Sequence, residues 1–213
     1  MTSPDGTNDA RSHPGGYPVA FAVDYPTDPR NRLTTFFRIF TAVPIAVILM
    51  AVGGGSPSWG GLGAASGLLF VAPLLMIVFR QKYPRWWFDW NLQLLRFSNR
   101  VTAYLLLLRD DYPSTDAEQA VHLEIGYPDA ARLNRWLPLV KWFLAIPHYV
   151  ILIFLHVGVV FAVIIGWFAI LITGRFPQVV FDYVVGVLRW TNRVIAYAFA
   201  LTTDAYPPFR LMP

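Results

Sequence analysis

The stretch RFPQVVFDYVVGVLRWTNRVIAYAFALTTDAYPPF at residues 175–209 decides the fold, because an earlier stretch of the chain repeats it. Residues 82–111, KYPRWWFDWNLQLLRFSNRVTAYLLLLRDD, align with residues 175–204 at an offset of 93 and agree at 12 of 30 positions. Most of the information lies in six matched polar pairs: Asp89 with Asp182, Arg96 with Arg189, Asn99 with Asn192, Arg100 with Arg193, Tyr104 with Tyr197, and Asp111 with Asp204. The chain is therefore interpreted as two tandem copies of one unit.

The composition favours a membrane protein. Hydrophobic residues make up 55% of the 213 residues and charged residues only 14%, against about 25% charged in ordinary soluble domains. A soluble domain so poor in charge would expose large apolar patches. The net charge of +4 would suit either nucleic acid or an anionic lipid surface. The lipid surface is favoured, and no nucleic-acid partner is expected, because the basic residues flank apolar runs and form no polar basic face.

The segments outside the apolar runs predict a tail, a linker and two short strands. Residues 1–17 are rich in Pro, Gly, Ser and Asp, which predicts a disordered tail and no signal peptide. Residues 19–26 and 121–128 alternate apolar and other side chains up to a Tyr-Pro pair, a pattern typical of a short strand. The polar residues 114–120 form the linker between the copies.

Each copy also contains long apolar runs, which are interpreted as a helical hairpin. In the second copy, the run from 139 to 173 would be roughly 52 Å long as one helix, far beyond a hydrocarbon core of about 30 Å. A turn near His156, Val157 and Gly158 is therefore expected, with a deep re-entrant hairpin as the alternative to full spans. The expected spans lie at about 36–52, 62–79, 139–156 and 158–173.

The repeated stretches predict amphipathic helices at about 86–108 and 179–202. With two spans in each copy, all 17 Lys and Arg and all 13 Asp and Glu fall on one side of the membrane, which the positive-inside rule makes the cytoplasm. If the repeated helices also spanned, Arg96 and Arg189 would lie within the hydrocarbon at a cost of about 2.5–3.5 kcal/mol each. Helices lying at the membrane surface avoid this cost, because their arginines can reach the headgroups.

The predicted fold class is therefore mainly α and integral to the membrane, with tandem repeats at 18–113 and 121–213. Each repeat is a transmembrane helical hairpin plus an interfacial amphipathic helix, with short β strands on the cytoplasmic side. Because each copy has an even number of spans, an axis along the membrane normal should relate the repeats.

The matched polar residues are the one constellation that stands out as a candidate site. It comprises Asp89, Arg96, Asn99, Arg100, Tyr104, Asp111, Asp182, Arg189, Asn192, Arg193, Tyr197 and Asp204. In the structural interpretation, the carboxylates bond to the arginines and fix each helix. In the functional interpretation, the arginines bind anionic lipid headgroups. No catalytic residue, cofactor or metal site is expected, because the chain has no cysteine and no metal-ligand, nucleophile or phosphate-binding motif.

Residues 166–209 and the upstream segment 123–150 resemble a family of bacterial membrane proteins known as domain of unknown function 4389. The resemblance is carried by Trp167, Gly174, Arg175, Pro177, Phe181, Arg189, Trp190, Arg193, Ala196, Tyr197, Asp204, Tyr206, Pro207, Pro208 and Phe209. The second copy covers the family pattern over about 120–210. The first copy departs from it, with Gln81-Lys82 in place of Gly174-Arg175 and Ser114-Thr115 in place of Pro208-Phe209. The resemblance implies topology and membership, and no substrate.

Together these observations favour a non-enzymatic membrane scaffold or accessory subunit that docks membrane lipids, a membrane-protein partner or a second copy of the chain. A small lipid or solute transporter is the alternative, and a membrane enzyme is the third hypothesis. The expected location is the inner (plasma) membrane of a bacterial cell, multi-pass, with both termini cytoplasmic.

Overall fold

The computed structural model describes residues 17–52, 71–115 and 119–212. Over these ranges the protein is mainly helical with two short strands, as predicted. The elements are β1 Val19–Val23, α1 Arg32–Phe36, α2 Arg38–Val52, α3 Val71–Arg80, α4 Arg85–Leu105, β2 Val121–Ile125, α5 Pro138–Leu144, α6 Ile146–Thr173 and α7 Gln178–Ala198. The end of α3, Met76–Arg80, is π-helical. Residues 1–16 of the tail predicted at 1–17, residues 53–70, which include the start of the span expected at 62–79, and linker residues 116–118 lie outside the described residues.

The two strands pair with each other as an antiparallel sheet, in which Phe21 lies opposite Leu123. Burial alternates along both strands, so the sheet has one apolar face and one solvent-exposed face. The apolar face of β1 packs on α7, whereas that of β2 packs on α4. Each strand therefore packs on the repeated helix of the other copy, an exchange that the sequence did not predict.

The helix α7 lies between β1 and α6. The Tyr183 hydroxyl donates to the Leu155 carbonyl of α6 at 2.9 Å. The Phe181 ring contacts Tyr25, just beyond β1, with ring centroids 5.0 Å apart. Side chains two residues apart point to nearly opposite sides of an α-helix, because each residue turns it by about 100°. The sheet and α6 therefore cover opposite faces of α7.

In the other half of the molecule, α4 is covered in the same way. Ile45 of α2 clusters with Phe97 and Val101 of α4, while β2 packs elsewhere on that helix. The molecule thus has three layers, which are the sheet, the pair α4 and α7, and an outer layer that contains α2 and α6.

The hairpin predicted for the second copy is wrong. Residues Ile146–Thr173 form one continuous helix of 28 residues, and the expected turn at 156–158 lies inside it. Nδ1 of His156 lies 2.8 Å from the carbonyl of Leu152, one helical turn earlier. The four-span topology required a turn at this point, so it fails together with the hairpin.

Two features account for the absence of a turn at 156–158. First, the apolar run from 139 to 173 is divided earlier, at Ala145, where α5 ends and α6 begins with Pro147 in its first turn. Proline is tolerated there because the N–H it lacks would have no partner within the helix. Second, Gly158 serves packing and makes no turn, since a Cβ at this position would overlap the Tyr183 hydroxyl.

The helix α6 is the one described helix that is long and apolar enough to cross a membrane. Only 22% of its most apolar window is buried within the protein, whereas the core helix of a soluble domain would be mostly buried. The helix α1 contacts both α2 and α6, and we call the exposed apolar side chains of these three helices the outer apolar face. Its members include Leu33, Phe36, Phe40, Val43, Val47, Val150, Ile153, Phe154, Val157, Val160, Phe161, Ile164, Phe168 and Ile172.

Candidate functional site

A pair of matched asparagines joins α4 to α7 at the centre of the molecule. Asn99 Nδ2 donates to Asn192 Oδ1 at 2.9 Å, and Asn192 Nδ2 donates to Asn99 Oδ1 at 2.8 Å. Each amide also donates to the carbonyl four residues earlier in its own helix. Both side chains are buried. The exchange of identical bonds between matched residues marks an approximate two-fold axis.

The matched residues Arg96 and Arg189 hold the exchanged strands. Arg96 Nε donates to the Leu123 carbonyl at 3.0 Å, and Arg189 Nε donates to the Phe21 carbonyl at 2.9 Å. The two acceptors face each other in the sheet, so the same bond is made twice about the two-fold axis. Hydrogen bonds with a charged donor are stronger than neutral ones. Each arginine therefore fixes the strand of the other copy to its own helix.

Two tyrosines make a second crossed pair of contacts between the copies. The Tyr25 hydroxyl of the first copy donates to the Phe176 carbonyl of the second at 2.5 Å. The Tyr127 hydroxyl of the second copy donates to the Tyr83 carbonyl of the first at 2.5 Å. Positions 83 and 176 are equivalent at the offset of 93, so these bonds obey the same axis.

Arg100 and Arg193 bind chain segments that follow their own helices. Arg100 donates to the Ser114 carbonyl at 3.0 Å. Arg193 donates to the Arg210 and Met212 carbonyls at 3.1 and 3.0 Å. Burial lowers the pKa of Arg193, and the charge of Arg210 lowers this pKa further. These arginines thus tie the segment after each helix back to that helix.

Asp204 belongs to a buried ion pair that the sequence analysis missed. Lys141 Nζ lies 2.7 Å from Asp204 Oδ1 and donates to the Thr203 carbonyl, also at 2.7 Å. Nζ also lies 5.2 Å from the centroid of the Tyr197 ring. Lys141 is 0% exposed. Burial lowers its pKa, while the hydrogen bond and the charge of Asp204 act in the opposite direction.

The first copy contains the corresponding ion pair, with the carboxylate moved by one position. Arg38 pairs with Asp110, and its guanidinium lies 4.2 Å from the centroid of the Tyr104 ring. Asp111, which the repeat alignment matched with Asp204, instead forms an ion pair with Arg109 at 2.6 Å and has a half-exposed side chain. The alignment therefore identified the right turn and the wrong aspartate.

A signal for these basic residues was present in the sequence. Arg38 and Lys141 each precede a matched proline, Pro44 or Pro147, by six residues. In the sequence both simply flank an apolar run, and nothing there shows that each returns to the turn at the end of its own copy.

Asp89 and Asp182 are exposed near the beginnings of α4 and α7. Neither takes part in an ion pair among the described residues. The structural interpretation joined these carboxylates to the arginines of the same helix. In the structure, Arg96 and Arg189 bind main-chain carbonyls, and the charge of Asp182 only partly offsets the lowering of the Arg189 pKa by burial.

Among the described residues, most of the matched polar side chains bond to main-chain carbonyls, to each other or to a basic side chain. Over the described ranges, no group of three or more His, Cys, Asp or Glu side chains could hold a metal ion. The buried His148 accepts a hydrogen bond from the Trp190 indole N–H at 3.0 Å and stacks on Phe209 with ring centroids 4.1 Å apart. These contacts are typical of a packed core histidine.

Residues 136–210 match the family model described as Domain of unknown function (DUF4389), which supports the resemblance seen in the sequence. The match lies within the second copy, and the first copy is not matched. No significant match to a curated protein or to a solved structure was found.

Proposed function

We propose that this protein is a non-enzymatic scaffold or accessory subunit that is held in a membrane by its outer apolar face. The observation that carries the proposal is the division of polarity between the layers. Most of the matched polar residues, including Arg96, Asn99, Arg189, Asn192 and Arg193, bond inside the protein, whereas most of the large apolar side chains of α6 are exposed. Exposed apolar patches of this extent mark interaction with a membrane or a partner.

The proposal includes a tandem duplication, although the family model matches only one copy. The crossed contacts support it, because the asparagine pair, the two arginine–strand bonds and the two tyrosine bonds each join equivalent positions. A chance resemblance between two hydrophobic helices would not reproduce three different kinds of polar contact about one axis.

The basic residues best placed to meet anionic headgroups differ from those named in the sequence analysis. Arg96, Arg189 and Arg193 are engaged with carbonyl groups inside the protein. Arg32 and Arg175 are exposed beside the end of α6. Such exposed cations favour an anionic lipid surface, and they are consistent with the inner membrane of a bacterial cell as the location.

A double substitution on α6 tests the membrane attachment. Phe154 and Phe161 are 72% and 62% exposed on the outer apolar face, and each contributes about 1.5–3 kcal/mol when its side chain is buried in an apolar medium. We expect Phe154→Lys with Phe161→Lys to shift the protein from the carbonate-resistant membrane fraction to the soluble or aggregated fraction. Fractionation of expressing cells followed by immunoblotting measures this shift.

The matched control is Ala22→Lys, which adds a charge at an exposed position of the sheet. It should leave the protein in the membrane. Retention of the double variant in the membrane would contradict attachment through α6. The scaffold role itself fails if affinity purification of the wild-type protein from native membranes recovers only a monomer, without bound lipid or a stable partner.

A further inference from the structure

We infer that α6 lies in the plane of the membrane, within one leaflet, with the sheet facing the water on the same side of the bilayer. The inference rests on the proposed membrane attachment and specifies its geometry. It names the lipid surface as the occupant of the outer apolar face and replaces the spanning hairpin expected from the sequence.

The first step is that α6 and α7 run side by side in opposite directions. Near the beginning of α6, His148 meets Trp190 of α7. Near its middle, the Leu155 carbonyl accepts the hydrogen bond from Tyr183. Further along, Gly166 makes room for the Phe176 ring, which a Cβ there would overlap. The two helices are therefore nearly antiparallel over most of their lengths.

The second step is that β1 follows the same line on the other face of α7. At one end, the Tyr17 hydroxyl lies 3.4 Å from the Arg193 carbonyl. At the other end, the Tyr25 hydroxyl donates to the Phe176 carbonyl, and the bond from Arg189 to Phe21 lies between them. The axes of the strand, α7 and α6 are therefore aligned, so all three make the same angle with the bilayer.

The third step is that the solvent-facing side of the sheet carries charged groups beside the second half of α6. Asp24 and His122 form an ion pair at 3.1 Å with side chains that are 64% and 55% exposed. They adjoin the paired residues Val23 and Val121. Asp24 precedes Tyr25, which bonds to Phe176, and the Phe176 ring lies against Gly166 of α6. If α6 stood across the bilayer, these exposed charged groups would lie beside the second half of the helix and face lipid, where such groups are disfavoured. If α6 lies flat, they face water.

The fourth step is the distribution of exposed basic residues around the outer layer. Arg32 donates to the Ile172 carbonyl at the end of α6, and Arg175 follows that helix. At the end of α3, Arg135 Nη2 donates to Gln81 Oε1 at 3.4 Å, and Lys82 follows Gln81 in the chain. All four basic residues are exposed. In the flat orientation, the pair Arg32 and Arg175 and the pair Arg135 and Lys82 can both lie at headgroup level on the same side of the bilayer. There they complement anionic lipid.

Single cysteines test this orientation cleanly, because the chain contains no cysteine of its own. The variants are His122→Cys on the sheet, Arg132→Cys before α5, Gln178→Cys after α6 and Phe161→Cys on the outer apolar face, all at exposed positions. Each is expressed in bacterial cells and treated with a membrane-impermeant maleimide in membrane vesicles of both orientations. A carbonate wash of the same membranes checks attachment independently.

The flat orientation predicts that positions 122, 132 and 178 react in vesicles of one orientation and lose labelling in the other, while position 161 stays unlabelled in both. If 132 and 178 react from opposite sides, α6 spans and the inference is overturned, although membrane attachment stands. If Phe161→Cys forms a disulfide-linked dimer, a second copy covers the face and the inference is overturned. If the wild-type protein is washed from the membrane, both the inference and the proposed attachment fail.

Discussion

Replacing Asp204 with asparagine is expected to lower the free energy of unfolding by about 3–5 kcal/mol, which is the usual cost of leaving one partner of a buried ion pair without the other. Lys141 is 0% exposed, so its ammonium group cannot recover hydration without a rearrangement. After the substitution, the Thr203 carbonyl and the Tyr197 ring would remain as neighbours. Thermal melting of the purified protein in detergent, followed by circular dichroism, measures the loss.

The opposite substitution should cost less. Lys141→Met removes the buried charge and leaves Asp204, whose side chain is 27% exposed and still accepts a hydrogen bond from the Asn134 main-chain N–H at 2.7 Å. The double variant Lys141→Met with Asp204→Asn should therefore be more stable than Asp204→Asn alone.

The control for this pair is Asp111→Asn, which breaks the more exposed ion pair with Arg109. Ion pairs of this kind contribute about 0–1 kcal/mol, so its melting temperature should stay close to that of the wild type. Equal effects of Asp204→Asn and Asp111→Asn would show that the buried pair does not stabilise the fold as argued.

Replacing either central asparagine, Asn99 or Asn192, with leucine is the second substitution that we expect to lower the free energy of unfolding substantially. Asn99→Leu removes both hydrogen bonds to Asn192, whose buried amide then lacks its partner across the helix crossing. A buried polar group left in this state costs about 1–3 kcal/mol. Asn192→Leu should have a similar cost by the same reasoning, because the pair is reciprocal.

The double variant separates a paired interaction from two independent ones. With leucine at both positions no amide is left without a partner, so the combined loss should be smaller than the sum of the single losses. Asn91→Leu is the matched control, since Asn91 is buried in the same helix as Asn99 and, within the described ranges, its amide donates to the Trp87 carbonyl one turn earlier and to no other helix. Additive losses at 99 and 192 would contradict the reciprocal pair.

Much of the secondary structure could be predicted because it depends on local patterns. Alternation over residues 19–26 and 121–128 indicated the strands, and the repeated stretches at 82–111 and 175–204 indicated two amphipathic helices. The length of an apolar run proved a poor guide at 139–173. An apolar run can be divided into two helices by a proline near its beginning. A glycine inside such a run can provide space for a neighbouring side chain and need not mark a turn.

The polar residues were found, but most of their partners were not. The repeat alignment singled out Arg96, Asn99, Arg189 and Asn192 without indicating what they bind. Their partners are a side chain 93 residues away and carbonyl groups of the other copy's strand. A carbonyl group has no sequence signature, since every residue has one.

The sequence alone determined that this chain is apolar and mainly helical, because composition and periodicity are properties of neighbouring residues, and it indicated that two stretches share one pattern. Only the tertiary structure decided that the two halves exchange strands and that α6 is a single helix. It also decided that α7, the helix of the stretch at 175–209 in which the repeat was first seen, lies with α4 in the middle layer. These outcomes depend on which distant surfaces fit together, and an amphipathic helix can present the same pattern to a bilayer or to another part of its own chain.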